Sequence, residues 1–169
     1  TDYHKVLHFA PEQAFYKRFR NMKNLDYITT DLNSPLADVK ADICNLPFKD
    51  NEFDVILCNH VCMHIPEDTK AMQELYRVLK PGGFGVFQIP QDLTRELTFE
   101  DNSIKDKKER AKIFGQYDHV RIYGKDYFNK LRSVGFKVDE VNYTSSLSED
   151  MIKKYCLAKG EIIPVVFKS

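Results

Sequence analysis

Short apolar runs alternate with amphipathic segments along most of the chain. The runs KVLHF (5–9) and FDVILC (53–58) have the length and the bounding turns that are typical of buried strands. Residues 66–79 instead place Met72, Leu75 and Val78 on one side of a helix. Strands that alternate with helices predict an α/β fold: an open, mostly parallel sheet with helices on both faces.

The same pattern predicts the bounds of most elements. The segment KPGG ends the helix at 66–79, because proline cannot continue a helix and glycine permits a left-handed exit. Too few residues separate the second and third strands for a crossover helix, so we expect that connection to be shortened. Ser148 is a candidate N-cap. The predicted strands are 5–9, 26–30, 39–42, 53–58, 84–89, 136–143 and 162–168, and the predicted helices are 12–22, 66–79, 124–134 and 148–159.

Composition and charge predict one domain over residues 1–169. The chain is 43% hydrophobic, and its 25 basic residues balance 25 acidic ones, so no nucleic-acid or anionic-membrane surface is predicted. No apolar run approaches the ~18 to 20 residues of a membrane span, and no leader opens the sequence. Four cysteines are too few for a secreted disulfide framework. We expect a soluble, cytoplasmic protein of undetermined oligomeric state. The first strand starts close to Thr1, which leaves room for a preceding part of the domain.

Residues 91–118 are polar and strongly charged, with KDKKERAK at their centre. Such a run can contact nucleic acid, but acidic residues interrupt it, which favours a solvated helix or a lid. The sequence therefore predicts a lid-like insertion at 91–118.

Two stretches carry a family resemblance. ADICNLPFKDNEFDVILCNHVCMHI (41–65) and ELYRVLKPGGFGVFQIP (74–90) occur in order, and DHVRIYGKDYFNKLRSVGFKV (118–138) follows them. With these segments the chain resembles class I S-adenosylmethionine-dependent methyltransferases of the branch called type 11, over nearly its whole length. The resemblance implies a Rossmann-like fold, transferase activity, S-adenosylmethionine as cofactor and a small-molecule acceptor.

The front of the cofactor site departs from the family pattern. Where the family has an acidic residue and a Gly-x-Gly turn, this chain has VLHFAPEQ (6–13), with His8 near the acidic position and Ala10 at the first glycine. Ala10 and Pro11 still permit a tight turn. Glu12 can meet the ammonium group of the cofactor.

Open parallel sheets bind ligands at the carboxyl ends of their strands, where the strand order reverses. We expect Asp31 to accept hydrogen bonds from the ribose hydroxyls, although a turn aspartate is the alternative. The resemblance assigns Asp42 and Ile43 to the adenine, with a turn aspartate and a core isoleucine as the alternative. The full set of predicted cofactor-binding residues is Phe9, Ala10, Pro11, Glu12, Asp31, Asp42, Ile43, Asn59 and His60.

The segment CNHVCMHIP (58–66) contains ligand types for zinc at alternate positions. Structural zinc sites draw separated pairs of ligands together, and alternate residues of one segment cannot all turn inward. A nucleophilic Cys62 lacks an apparent partner base. We therefore predict no metal ligands and no reactive thiol here, assign Asn59 and His60 to cofactor or substrate, and expect a structural role for His64.

The candidate catalytic residues are His60, His119 and Arg121. The last two follow the predicted lid, where Arg121 can clamp an anionic group of the acceptor and His119 can take its proton. The alternative is that both merely anchor the lid. For the whole chain, the alternatives to a methyltransferase are a non-catalytic cofactor-binding or interaction domain and a nicotinamide-dependent enzyme. The second lacks support because no G-x-G-x-x-G follows the first strand.

Overall fold

The computed structural model describes residues 3–169. Seven strands form the main sheet, in the order β3-β2-β1-β4-β5-β9-β8. All pairs are parallel except those that β9 makes with β5 and β8. The strands are β1 (His4–Phe9), β2 (Leu25–Asp31), β3 (Val39–Lys40), β4 (Phe53–Leu57), β5 (Leu79–Val86), β6 (Phe99–Glu100), β7 (Arg121–Ile122), β8 (Lys137–Val141) and β9 (Ile163–Phe167).

Five α-helices accompany these strands: α1 (Gln13–Arg20), α2 (Asp68–Val78), α3 (Lys107–Phe114), α4 (Tyr127–Ser133) and α5 (Glu149–Lys154). From β1 the chain moves through α1 to one side of the sheet, and from β4 it moves through α2 to the other. Right-handed crossovers therefore put α1 and α2 on opposite faces. The predicted α/β fold is confirmed, and no helix lies between Asp31 and Val39.

The centre of the core lies where α2 packs on the middle strands. Leu7 of β1 and Ile56 of β4 are completely buried, as are Leu75 and Val78 of α2. Each such side chain contributes about 1.5–3 kcal/mol relative to an exposed position. This packing makes the middle of the sheet a rigid support for the loops at its carboxyl edge.

The segment KPGG differs from its prediction. It lies inside β5 and does not precede it, and the pairing with β4 shifts register between Phe53 and Val55. Gly82 has φ +78°, and a Cβ on Gly83 would lie 2.8 Å from the carbonyl oxygen of Asp54. The glycines therefore allow a bulge within β5. The sequence does not reveal this role, because a proline followed by two glycines usually marks a turn.

The predicted lid contains regular structure. β6 pairs antiparallel with β7 outside the main sheet. α3 begins at Lys107, and Oδ1 of its N-cap residue Asp106 accepts from the backbone N–H groups of Lys108 and Glu109. A lid function for 91–118 stays a prediction.

All four predicted helices are longer in the prediction than in the structure, and α4 and α5 differ most. α4 begins at Tyr127, and α5 ends at Lys154, shortly before Cys156 with φ +51°. The candidate cap Ser148 accepts a hydrogen bond from the backbone of Met151. Within residues 3–169, no helix has the length and apolar character needed to cross a membrane.

Candidate functional site

A cavity of about 450 Å³ opens at the carboxyl ends of β1 and β2, beside the segment that follows β4. The strand order reverses between β1 and β4, so this is the place where an open α/β sheet binds ligands. Residues of the predicted cofactor set that line the cavity are Phe9, Ala10, Asp31, Asp42, Ile43 and His60.

The two aspartates each use one oxygen in a turn. Oδ1 of Asp31 accepts from the backbone N–H groups of Asn33 and Ser34, both at 2.7 Å, and Oδ1 of Asp42 accepts from the N–H of Cys44 at 2.9 Å. Neither Oδ2 has a hydrogen-bond partner within residues 3–169. Each aspartate is thus a turn residue, as the alternative interpretation proposed, and also keeps an acceptor available to a ligand.

The turn after β1 retains the backbone shape that a glycine would give. Ala10 has φ +45°, in the left-handed region, and its N–H donates to the carbonyl oxygen of Thr30 at 3.0 Å. An L residue in this conformation costs of order 1–2 kcal/mol relative to glycine. The departure from the family pattern therefore changes the side chain and leaves the turn in place.

Behind this turn, a polar network joins β1 and β2 with the residues that follow β4 and β5. Nδ1 of buried His8 lies 2.6 Å from the hydroxyl of Tyr27, and its Nε2 contacts Oε2 of Glu12. Oε1 of Glu12 accepts from Asn59 at 3.1 Å, and Asn59 accepts from the N–H of Gln88. Burial alone would raise the pKa of Glu12, but the hydrogen bonds from His8 and Asn59 lower it overall.

This network changes the expected role of part of the predicted set. Pro11, Glu12 and Asn59 do not line the cavity. Both carboxylate oxygens of Glu12 already have partners, although 34% of its side chain stays exposed. Its contact with the ammonium group of a cofactor stays a prediction.

The segment after β4 (58–66) places its two cysteines in the core and its two histidines at the cavity. Cys58 and Cys62 are buried in the core, and burial raises the pKa of the Cys58 thiol. His60 is exposed at the cavity with φ +55°, and its N–H donates to the carbonyl oxygen of Gln88 at 2.8 Å. Non-glycine residues in this conformation are found preferentially at functional sites.

Residues 4–87, about half of the chain, match the family model described as "Methyltransferase domain". The chain belongs to the class I S-adenosylmethionine-dependent methyltransferase family. This methyltransferase domain is 33% identical over 116 residues to a 2-phytyl-1,4-naphtoquinone methyltransferase of Nostoc punctiforme, covering 61% of the chain and 50% of that protein. It is 30% identical over 135 residues to a sterol 24-C-methyltransferase of Debaryomyces hansenii, covering 77% and 34%.

The fold is shared with a solved S-adenosylmethionine-dependent methyltransferase from Mesorhizobium loti. The TM-score is 0.66 at 12% identity, covering 98% of this chain and 90% of that one. The methyltransferase domain spans half or less of the length of both curated relatives above. The family and the fold predicted from the sequence are thus confirmed, and S-adenosylmethionine is the cofactor of that family.

The acceptor oxygens and apolar side chains of the cavity fit this cofactor. The free Oδ2 atoms of Asp31 and Asp42 can accept from ribose hydroxyls and from an exocyclic amine, and Phe9 and Ile43 supply buried apolar surface. A cavity of a few hundred Å³ is typical for a cofactor-sized ligand. The methyltransferase domain therefore has complementary groups for the adenosine part at the predicted positions.

Arg121 is buried away from the cavity, whereas the sequence predicted it beside the acceptor. Only 2% of it is exposed, and it does not line the cavity. Its guanidinium donates to the carbonyl oxygens of Cys62 at 3.0 Å, Pro66 at 2.8 Å and Ile65, and Nε donates to Glu100 at 2.9 Å. The geometry does not support a clamp for an acceptor. It supports the alternative, an anchor that joins β7 to the segment after β4.

His119 lies beside the cavity and does not line it. Its ring packs edge-on against His64, with centroids 4.7 Å apart, and its Nδ1 lies 3.1 Å from the carbonyl oxygen of Phe114. His64 and Asp118 do line the cavity, with His64 Nδ1 3.4 Å from Asp118 Oδ2. Burial lowers the pKa of His64, although Asp118 acts in the opposite direction.

Several cavity residues were missed at the level of sequence. Leu32 and Asn33 follow Asp31 directly, and their position after a strand end was an available signal. Asp118 gave no signal of its own. It lies just before β7, which pairs with β6 and whose Arg121 donates to the carbonyl of Cys62 after β4.

Proposed function

We propose that this domain binds S-adenosylmethionine in the cavity at the ends of β1 and β2 and transfers its methyl group to a small-molecule acceptor. The observation that carries the proposal is that Asp31 and Asp42 both line this cavity at the point where the strand order reverses, each with its Oδ2 free of partners within residues 3–169. Asp31 holds the ribose, and Asp42 with Ile43 holds the adenine.

When bound at Asp31, Asp42 and Ile43, the cofactor would supply an electrophilic methyl group on its sulfonium sulfur. An acceptor that attacks this carbon in line would break the carbon–sulfur bond and release S-adenosylhomocysteine. Such a reaction demands mainly alignment and exclusion of water, plus a base where the acceptor must lose a proton. His60 faces the cavity from a fixed backbone conformation and is placed to position the reacting groups. His119 packs against the ring of His64, which lines the cavity, and His119 is our candidate for receiving a proton.

The named relatives support a proposal for the acceptor class. A naphthoquinone methyltransferase and a sterol methyltransferase both act on small apolar ring compounds by name. We accordingly propose a hydrophobic small-molecule acceptor. A second, smaller cavity of about 310 Å³ lies at the same edge of the sheet, between the residues after β5 and those before β9.

A non-catalytic cofactor-binding domain is the second candidate. Two observations favour it: Ala10 replaces the usual glycine, and the carboxylate of Glu12 is already engaged within the chain. Both features concern the methionine end of the cofactor, so they affect turnover more than adenosine binding.

Native mass spectrometry of freshly purified protein tests the proposal. We expect a bound mass of S-adenosylmethionine or S-adenosylhomocysteine, and release of S-adenosylhomocysteine when quinol or sterol acceptors are added. Binding without turnover on any acceptor supports the non-catalytic candidate. Binding of NADH in place of either ligand would contradict both.

The role of His119 has its own test. His119→Ala should lower methyl transfer while S-adenosylhomocysteine affinity stays within about twofold, because His119 lies outside the adenosine contacts. His4→Ala, which alters an exposed residue at the start of β1, is the control. Equal loss of binding and turnover in a folded His119→Ala protein would place this residue in the cofactor site instead.

A further inference from the structure

We propose that His64, Asp118 and His119 form a binding site for a divalent first-row transition metal ion at the mouth of the cavity. The ligand atoms offered by these side chains all lie within 4.8 Å of one another, and all three residues are half-buried. His64 comes from the Cys/His segment, but the other two come from the far side of the predicted lid. The proposal therefore departs at His64 from the expectation of no metal ligand in residues 58–66, and the zinc site within that segment alone stays excluded on spacing.

The distances are close to those of a metal centre. Zinc–ligand bonds of about 2.0–2.2 Å put neighbouring ligands of a tetrahedral ion roughly 3.3–3.6 Å apart. His64 Nδ1 and Asp118 Oδ2 already lie 3.4 Å apart. The ligand atom of His119 lies within 4.8 Å of both.

The hydrogen bond of His119 leaves the correct nitrogen free. A carbonyl oxygen can only accept, so the contact of Nδ1 with the carbonyl of Phe114 at 3.1 Å requires the proton on Nδ1. Nε2 then carries the lone pair. This is the usual arrangement of a metal-binding histidine, whose second nitrogen donates to a carbonyl or carboxylate.

Asp118 has an atom that nothing in the described chain satisfies. Its Oδ1 is buried and has no hydrogen-bond partner within residues 3–169. A buried carboxylate oxygen without a partner is uncommon and calls for a bound water or ion. A cation held by both oxygens of this carboxylate and by the two imidazoles would satisfy it.

The two ligand-bearing segments are held rigidly against each other. Arg121 donates to the carbonyls of Cys62 and Ile65 on either side of His64, and the N–H of Val120 donates to the carbonyl of Met63 at 3.0 Å. Such support fixes the ligands before any ion binds, as metal affinity requires.

Two imidazoles and one carboxylate leave coordination positions open, and His64 and Asp118 line the cavity. An oxygen ligand, water or an acceptor hydroxyl, fits there. Metal binding itself stands independently of the proposed methyl transfer, and the identity of that oxygen ligand rests on it. An ion on Nε2 would occupy the lone pair that the proposed function assigns to proton transfer, so in the ion-bound domain His119 is a ligand and not the base.

Equilibrium dialysis of the full chain against Zn²⁺, with elemental analysis, tests the site, and Co²⁺ provides a visible absorption spectrum. We expect about one ion per chain. His119→Ala and Asp118→Ala should each lower the affinity roughly ten- to a hundredfold or more. His60→Ala, a histidine on the same cavity outside the cluster, and Cys58→Ser are controls that should retain the ion.

Circular dichroism and S-adenosylhomocysteine binding on the same samples separate loss of the site from loss of the fold. If Asp118→Ala does not fold, Asp118→Asn keeps its shape and removes the charge. An ion-free protein would overturn the proposal and leave a hydrogen-bonded His–Asp–His cluster. Unchanged affinity in folded Asp118 and His119 variants, or equal loss in His60→Ala, would also overturn it.

Discussion

Replacing Asp31 by asparagine separates the two tasks of this side chain. Oδ1 closes the turn through the N–H groups of Asn33 and Ser34, and a carboxamide oxygen can do the same. Oδ2 has no hydrogen-bond partner within residues 3–169, and Asp31 lines the cavity, so the substitution exchanges a charged acceptor for an amide donor there. Asp31→Asn therefore changes the cavity while it preserves the turn.

The expected magnitude comes from the charge-assisted hydrogen bonds that are lost. Such bonds contribute about 1.5–3 kcal/mol, which corresponds to a roughly ten- to hundredfold lower affinity for S-adenosylhomocysteine. Asp31→Ala should lose a similar amount of affinity and also lower stability, because the two turn N–H groups lose their acceptor. Isothermal titration calorimetry measures the first effect and thermal unfolding the second.

Asp101→Asn is the matched control. Oδ1 of Asp101 likewise accepts from a backbone N–H two residues ahead, that of Ser103, at 2.8 Å, and the side chain does not line the cavity. Both substitutions remove the same charge. If Asp31→Asn binds S-adenosylhomocysteine as tightly as Asp101→Asn does, Asp31 does not hold the ribose.

The other predictions concern stability. Arg121→Met should destabilise the fold by about 3–5 kcal/mol, measured by urea unfolding, because buried carbonyls and Asp68 lose their cation; a loss under about 1 kcal/mol would contradict the anchor role. The pKa of Glu12 is lowered below its ordinary 4.5, so its stabilising contribution is present above that pH and lost as the pH falls through the folded value. The stability difference between the native chain and Glu12→Gln should therefore shrink below pH 4.5, and a pH-independent difference would refute this. Gly83→Ala should cost about 1–3 kcal/mol by thermal unfolding, because its Cβ would meet the backbone of Asp54 at 2.8 Å; an unchanged midpoint would count against the bulge.

The central strands β1 and β4 could be predicted because most of their residues are buried or half-buried, so these strands appear as continuous apolar runs. Residues 53–58 are an example, and the short connection before Val39 correctly indicated a missing helix. The bulge at KPGG could not be predicted, because proline and glycine indicate a turn wherever the pairing partner is unknown. Only the approach of Gly83 to Asp54 reveals that the chain continues as a strand.

The candidate site was predicted where it depends on strand ends and missed where it depends on distant contacts. Asp31 and Asp42 follow strands, so their position at the cavity could be inferred from the sequence. Arg121 was expected to clamp an anionic group of the acceptor because it follows the predicted lid. Its burial depends on carbonyl oxygens more than fifty positions earlier in the chain, at Cys62 and Pro66. No local pattern encodes that contact, and the meeting of His64 with Asp118 depends on it.

A crystal structure of the protein with S-adenosylhomocysteine tests the central claim most directly, since the claim assigns one cavity to the cofactor. We predict ribose hydroxyls within about 3.2 Å of Asp31 Oδ2, with the adenine beside Asp42 and Ile43. Crystals that contain the ligand only in the cavity between 89–93 and 158–162, or that stay free of it at saturating concentration, would contradict the account.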